Sequence, residues 1–151
     1  MRAASGAITA FDVPGSGDNS NQGTFASSIN AAGAVTGNYV DGANVNHGFV
    51  RAASGAITTF DAPGVGTRES QGTIACNINT AGDVTGYYLN AGYVLRGFER
   101  AASGAITRFE APGAETSADR GTTALGINMA GDIAGYYVDS ADVYHGFVRT
   151  R

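Results

Sequence analysis

The chain has 151 residues and a net charge of −4, and only 15% of its residues are charged, well below the roughly 25% usual in globular domains. That balance gives no electrostatic reason to bind nucleic acid or an anionic membrane. No apolar run is long enough to insert into a bilayer, and a single cysteine, Cys76, excludes an intrachain disulfide.

The first residues already belong to a repeat. Arg-Ala-Ala-Ser-Gly-Ala-Ile-Thr occupies 2–9 and recurs at 51–58 and 100–107, a constant step of 49 residues, and a fourth copy starts at Arg149. Within it, 7–12 reads as the last strand of a unit whose earlier strands are missing. Three units follow, 24–62, 73–111 and 122–149. The middle one shows the pattern best. An alternating stretch at 73–79 (Thr-Ile-Ala-Cys-Asn-Ile-Asn) predicts a strand, and Thr-Ala-Gly at 80–82 a tight turn. A second strand is predicted over 83–89, a longer connection over 90–94 and a third strand over 96–101. Ala-Ser-Gly at 102–104 turns the chain into a fourth strand, 105–110, which Ala-Pro-Gly at 111–113 stops, because proline cannot donate into a ladder. No helical periodicity of useful length occurs.

Each period is thus a meander of four short antiparallel strands with small or apolar residues on both faces, so neighbouring copies must cover it. Four-stranded units of about 40–50 residues packed face to face describe the blades of a β-propeller. Propellers have about 4–8 blades, and this chain encodes three, the last lacking the fourth strand that 7–12 holds in spare. A homodimer closes the count: a six-bladed ring in which 7–12 of each copy completes the last blade of the other. The alternative all-β architecture is a β-trefoil monomer, which also repeats three times.

His-Gly-Phe-Val-Arg at 145–149, Ser-Gly-Ala-Ile-Thr-Arg-Phe-Glu-Ala-Pro-Gly at 103–113 and Ile-Asn-Met-Ala-Gly-Asp-Ile-Ala-Gly-Tyr at 127–136 resemble the bacterial extracellular HAF repeats. That family is named for a His-Ala-Phe triplet, which here reads His47-Gly-Phe49, Arg96-Gly-Phe98 and His145-Gly-Phe147. The resemblance covers nearly the whole chain. It implies a secreted or surface repeat protein without an assigned activity.

Residues present in all three copies are read as structural. Gly37, Gly86 and Gly135 fall mid-strand, where a close neighbouring sheet would require glycine. Tyr39, Tyr88 and Tyr137 are read as packing between units, and Asn30, Asn79 and Asn128 as turn partners. The basic position His47, Arg96, His145 follows Asp41, Asn90 and Asp139 by six residues. This spacing fits a bond pinning the two–three connection, or an Asp–His pair for proton transfer. Two histidines with an arginine suit no zinc site, and no metal or cofactor motif occurs. Asp12, Asp61 and Glu110 precede Pro-Gly and are read as turn residues. Cys76 aligns with Ser27 and Leu125 and is read as a buried, inert thiol.

Variable residues cluster in the four–one connections (16–22, 65–71, 114–120) and the two–three connections (42–46, 91–95, 140–144), which a meander brings to one side. Three readings of function follow. The first is a non-catalytic module for recognition or scaffolding, with ligand candidates His47, Arg96, His145, Asp41, Asp139, Tyr93 and Tyr144. Carbohydrate is its candidate ligand, because tyrosines with Asn and Asp suit stacking and hydrogen bonding. The second is a hydrolase or lyase using His47, His145, Asp41 or Asp139. The third is an excised or engineered symmetric fragment without a function of its own.

Overall fold

The structure, a computed structural model, describes residues 6 and 8–151. Eleven strands and no helix form among the described residues: β1 (Gly23–Ile29), β2 (Val35–Val40), β3 (Asn46–Arg51), β4 (Ile57–Phe60), β5 (Gly72–Ile78), β6 (Val84–Leu89), β7 (Leu95–Arg100), β8 (Ile106–Phe109), β9 (Thr122–Ile127), β10 (Ile133–Val138) and β11 (Tyr144–Arg149). The protein is all-β. β1–β4 and β5–β8 are two antiparallel meanders joined into one eight-stranded sheet through a parallel bridge from Asn46 to Gly72. β9–β11 form a second, three-stranded sheet, linked to β7 by an isolated bridge between Leu95 and Gly121.

Asparagine and aspartate side chains set the strand ends. Asn30 Oδ1 accepts from the amides of Ala32 and Ala34, both at 3.0 Å, and Asn79 and Asn128 accept from Asp83 and Asp132 in the same way. Asp41, Asn90 and Asp139 each accept two amides across the two–three connection. A short polar side chain that satisfies its own turn ends a strand without help from elsewhere.

Each first strand carries a β-bulge, at Ser27, Cys76 and Leu125 in turn, where two residues oppose one on the partner strand. The extra residue resets the alternation, so Ala75 and Ile78 are both buried although three positions apart. The bulge also corrects the expected reason for the mid-strand glycines. A Cβ on Gly86 would lie 2.9 Å from the Ala75 Cα and closer still to the Ile74 carbonyl oxygen. The crowding group belongs to the meander's own first strand, not to a neighbouring sheet.

The meanders stack in series, β1 and β2 against β5, then β5 and β6 against β9. Ala62, Ala75, Ile78, Val84, Tyr88 and Phe98 make the main core, and Ala124, Ile127 and Ile133 a second. Side-chain amides also join the layers: Asn30 Nδ2 donates to the Asn79 carbonyl at 2.9 Å, and Asn79 Nδ2 to the Asn128 carbonyl at 3.1 Å.

Both ends of the stack are bare. Ile78 and Ile127 are 4% and 8% exposed, but their counterpart Ile29 is 68% exposed. Val45 and Val94 are covered, whereas Val143 at the other end is 48% exposed. The described residues of one chain form neither a closed ring nor a closed barrel; what they form is a serial stack. Of the segment 7–12, expected to supply a fourth strand to a second copy, residues 8–12 stand unpaired in the single chain. Ala7 lies outside the described residues, and 8–12 forms no strand, because no strand three lies beside it. Even so, Phe11 sets its ring edge-on against Phe49 at 5.9 Å, and Val13, only 1% exposed, donates its amide to Thr24 Oγ1.

Candidate functional site

The basic position of each unit stands near the start of strand three, beside the tyrosine of strand two. His47 is directly opposite Tyr39 and His145 opposite Tyr137, and the rings stack at 4.9 and 5.0 Å. His47 is held from two sides. Its Nδ1 lies 2.9 Å from Asp61 Oδ2, and its Nε2 lies 3.4 Å from Asp41 Oδ2. Asp61 also accepts from Thr73 Oγ1, so strands three, four and the next strand one meet there. Partial burial disfavours the Asp41 carboxylate, but the amides of Val45 and Ala43, together with His47, outweigh it and hold its pKa below the ordinary value. Burial, followed by Asp61 and Asp41, pushes the Tyr39 phenol up.

In the second unit Arg96 takes the histidine's place and pairs with Glu110. Asn90 is occupied by its own turn, so the expected bond across the two–three connection is absent here. A hollow of about 320 Å³ lies beside this pair, lined by Tyr88, Arg96, Arg108, Phe109 and Glu110. In the third unit His145 Nε2 lies 3.0 Å from Asp139 Oδ2. The Val143 amide, followed by His145, holds the Asp139 carboxyl below its usual range. No hydrogen bond is made to His145 Nδ1 among the described residues.

The strand-four acid is therefore the partner that sequence reasoning missed, since Asp61 and Glu110 were read as turn residues. Its signal was present: His47 and Asp61 are 14 residues apart, and Arg96 and Glu110 keep the same spacing. Among the described residues no group of three His, Cys, Asp or Glu is placed to hold a metal ion. Cys76, at the bulge, has its thiol pushed up to about 11 by burial, which leaves little thiolate at neutral pH.

An acid limb in stability follows from Asp41 and Asp139. A carboxyl whose pKa is depressed on folding binds fewer protons in the folded than in the unfolded chain at low pH. The stabilisation is present above an unfolded value of about 3.9 and is lost as pH falls through the lower folded value. Asn90 shows that an amide maintains the same turn bonds. Asp41→Asn with Asp139→Asn is therefore expected to fold normally at pH 7 and to flatten the fall of urea midpoints between about pH 5 and pH 2. An unchanged slope would show that these two acids are not the titrating groups.

The variable connections lie together at one end of the strands. Gln22 Nε2 donates to Asn44 Oδ1, the Ser70 amide to the Asn44 carbonyl, the Tyr93 hydroxyl to the Glu69 carbonyl, and Arg120 pairs with Asp142. Six non-glycine residues here have left-handed backbone: Asn21, Ser70 and Asp119 in the four–one connections, and Asn44, Tyr93 and Asp142 in the two–three connections. A tyrosine at φ 61° is costly, and its neighbours hold it there through both its hydroxyl and its carbonyl. Asn21, Asn44, Asn46, Glu69 and Ser70 help line a polar hollow of about 370 Å³ between the first two units. None of these residues was singled out beforehand, although asparagine's tolerance of left-handed backbone was a usable signal.

Of the seven residues singled out, the structure joins His47 with Asp41 and His145 with Asp139, and directs Arg96 to Glu110. Tyr93 stands in the two–three connection of the second unit and Tyr144 opens β11 in the third; Tyr144 is 69% exposed, set against Tyr136 at 5.5 Å. No family model matches this chain, and no curated protein or solved structure matches it either.

Proposed function

We propose that this chain is a non-catalytic β-propeller repeat module for recognition or scaffolding, in which two copies close a six-bladed ring. The observation that carries this reading is the exchange at the basic position. Arg96 stands where the other units have histidine, and it keeps the acid from strand four as its partner. A guanidinium does not give up its proton in proteins, so what the first two units have in common is a clasp between the base of strand three and the acid that follows strand four. A clasp that accepts either base is structural.

Recognition is then the task of the variable end, where loops differing between units are carried on a repeated scaffold. Tyr93, Tyr144 and the asparagines around the polar hollow offer ring faces and amides, which suits carbohydrate. The likeness to HAF repeats would put the module outside the cell. Glycan-array binding by the intact chain tests the ligand class. Capture of a defined glycan, lost in Tyr144→Ala at unchanged melting temperature, is the expected result. His47→Ala with His145→Ala is expected to lower the melting temperature and leave capture intact. A variant that folds as wild type but loses turnover of a glycoside or ester substrate would favour a hydrolase instead.

A further inference from the structure

The third meander stops one strand short, and the first two specify what the missing strand does. In them strand four pairs with strand three in one register: Gly48 opposite Phe60, Phe49 opposite Thr59, Val50 opposite Thr58 and Arg51 opposite Ile57, repeated in β7 and β8. Its phenylalanine closes over the glycine, so that a Cβ on Gly48 or Gly97 would come within 2.6 or 2.7 Å of the Phe60 or Phe109 ring. The same phenylalanine meets the next unit. Phe60 is edge-on to Phe98 and Phe109 to Phe147, each at 5.9 Å, with Arg100 and Arg149 lying 4.9 Å above the first ring of each pair. The acid that follows pairs with the base of strand three.

The third unit lacks these contacts. A Cβ on Gly146 would meet nothing nearer than the Gly135 carbonyl oxygen at 3.9 Å. His145 Nδ1 is free of partners among the described residues, and Val148 is 71% exposed. The opposite end of the chain holds the complement. Phe11 is edge-on to Phe49 at 5.9 Å and lies 4.9 Å beneath Arg51, as Phe60 and Phe109 do in their places. Among the described residues it closes over no glycine and Asp12 pairs with no base, and Ile8 is 96% exposed.

We infer that the free edge of β11 is the docking site for residues 8–12 of a second copy of this chain. The register is Phe11 opposite Gly146, Ala10 opposite Phe147, Thr9 opposite Val148 and Ile8 opposite Arg149, and it brings Asp12 to His145 Nδ1. The His145–Asp139 pair is thus a site finished by the other copy. An unpaired strand edge is a template for such addition, and the bare ends of the stack, carrying Ile29 and Val143, are covered by the same step. The inference rests on the two-copy assembly proposed above and adds the seam through which it forms.

Two variants of the full chain test it. Gly146→Val places its side chain in open space within one copy but in the ring of the second copy's Phe11. It is expected to keep the wild-type melting temperature at dilutions where the chain is single, and to raise the dimer dissociation constant about 100-fold or more. In a Cys76→Ser background, mixing Thr9→Cys chains with Val148→Cys chains is expected to give a disulfide-linked pair on oxidation. Neither chain alone should do so, because directly opposed Cβ atoms stand about 4.5–5.5 Å apart, within a small shift of disulfide reach. A wild type that dimerises while Gly146→Val dimerises equally well and the mixture fails to cross-link would overturn this seam and leave the two-copy assembly standing. A wild type that remains single at every concentration would remove both.

Discussion

Phe98→Ala is expected to cost about 3–5 kcal/mol of folding stability, read from urea denaturation. Phe98 is fully buried in the middle of the main core, with Tyr88, Val84 and Ala75 around it and the edge of Phe60 against its ring. The second meander is packed on both sides, by β1 and β2 and by β9, so little collapse into the vacated volume is available, and the cost lies towards the large end for such truncations. Against a total of about 5–15 kcal/mol for a domain, that is a large share. The counterpart at the bare end is an internal control. Phe147 is only partly buried, and its truncation in the single chain is expected to cost roughly half as much or less. Equal losses at the two positions would mean that the stack is not held mainly by its middle layer.

The second large effect is expected at Gly86. The bulge at Cys76 brings the Ile74 carbonyl across the face of β6, and a methyl group on Gly86 would collide with that oxygen and the Ala75 Cα. Both are backbone atoms inside a hydrogen-bonded ladder, so the strain cannot be relieved by turning a side chain. Gly86→Ala is expected to lose about 3 kcal/mol or more, the upper range for overpacking. Gly126→Ala is the matched control. It lies in β9, its Cβ would meet nothing within 4 Å, and a gain of about 0.5 kcal/mol is expected from reduced chain entropy. Similar melting temperatures for the two variants would contradict the bulge geometry.

Much of the architecture was legible because the repeat is punctuated by its own chemistry. A strand expected over 83–89 is found at Val84–Leu89, and one expected over 105–110 is found at Ile106–Phe109. The Asx residues and glycines that end each strand act through neighbours a few residues away, so local sequence carries them. Two features were not legible for a common reason: they depend on which strand lies opposite. The bulge at Cys76 reversed the expected alternation after Ala75, and nothing in Ala-Cys-Asn marks an extra residue. The role of Asp61 as the clasp of His47 required strand four to lie on strand three with its end at the histidine. The spacing of 14 residues was visible, but the turn preference of an acid before Pro-Gly was the nearer explanation. The spare segment 8–12 shows the limit most plainly. Its residues match those of β4 and β8 almost one for one, yet in one chain it makes no strand, because a strand is a relation between two segments and its partner is not beside it.

The two unfinished ends of the chain fit each other, and the mass of the native particle shows whether they meet. Sedimentation of the purified chain across a dilution series is expected to give twice its 15.3 kDa, falling towards one chain only on dilution. A particle of 15.3 kDa at every concentration up to the millimolar range would contradict it, and would leave the exposed edge of β11 and the free face of Ile29 without an occupant.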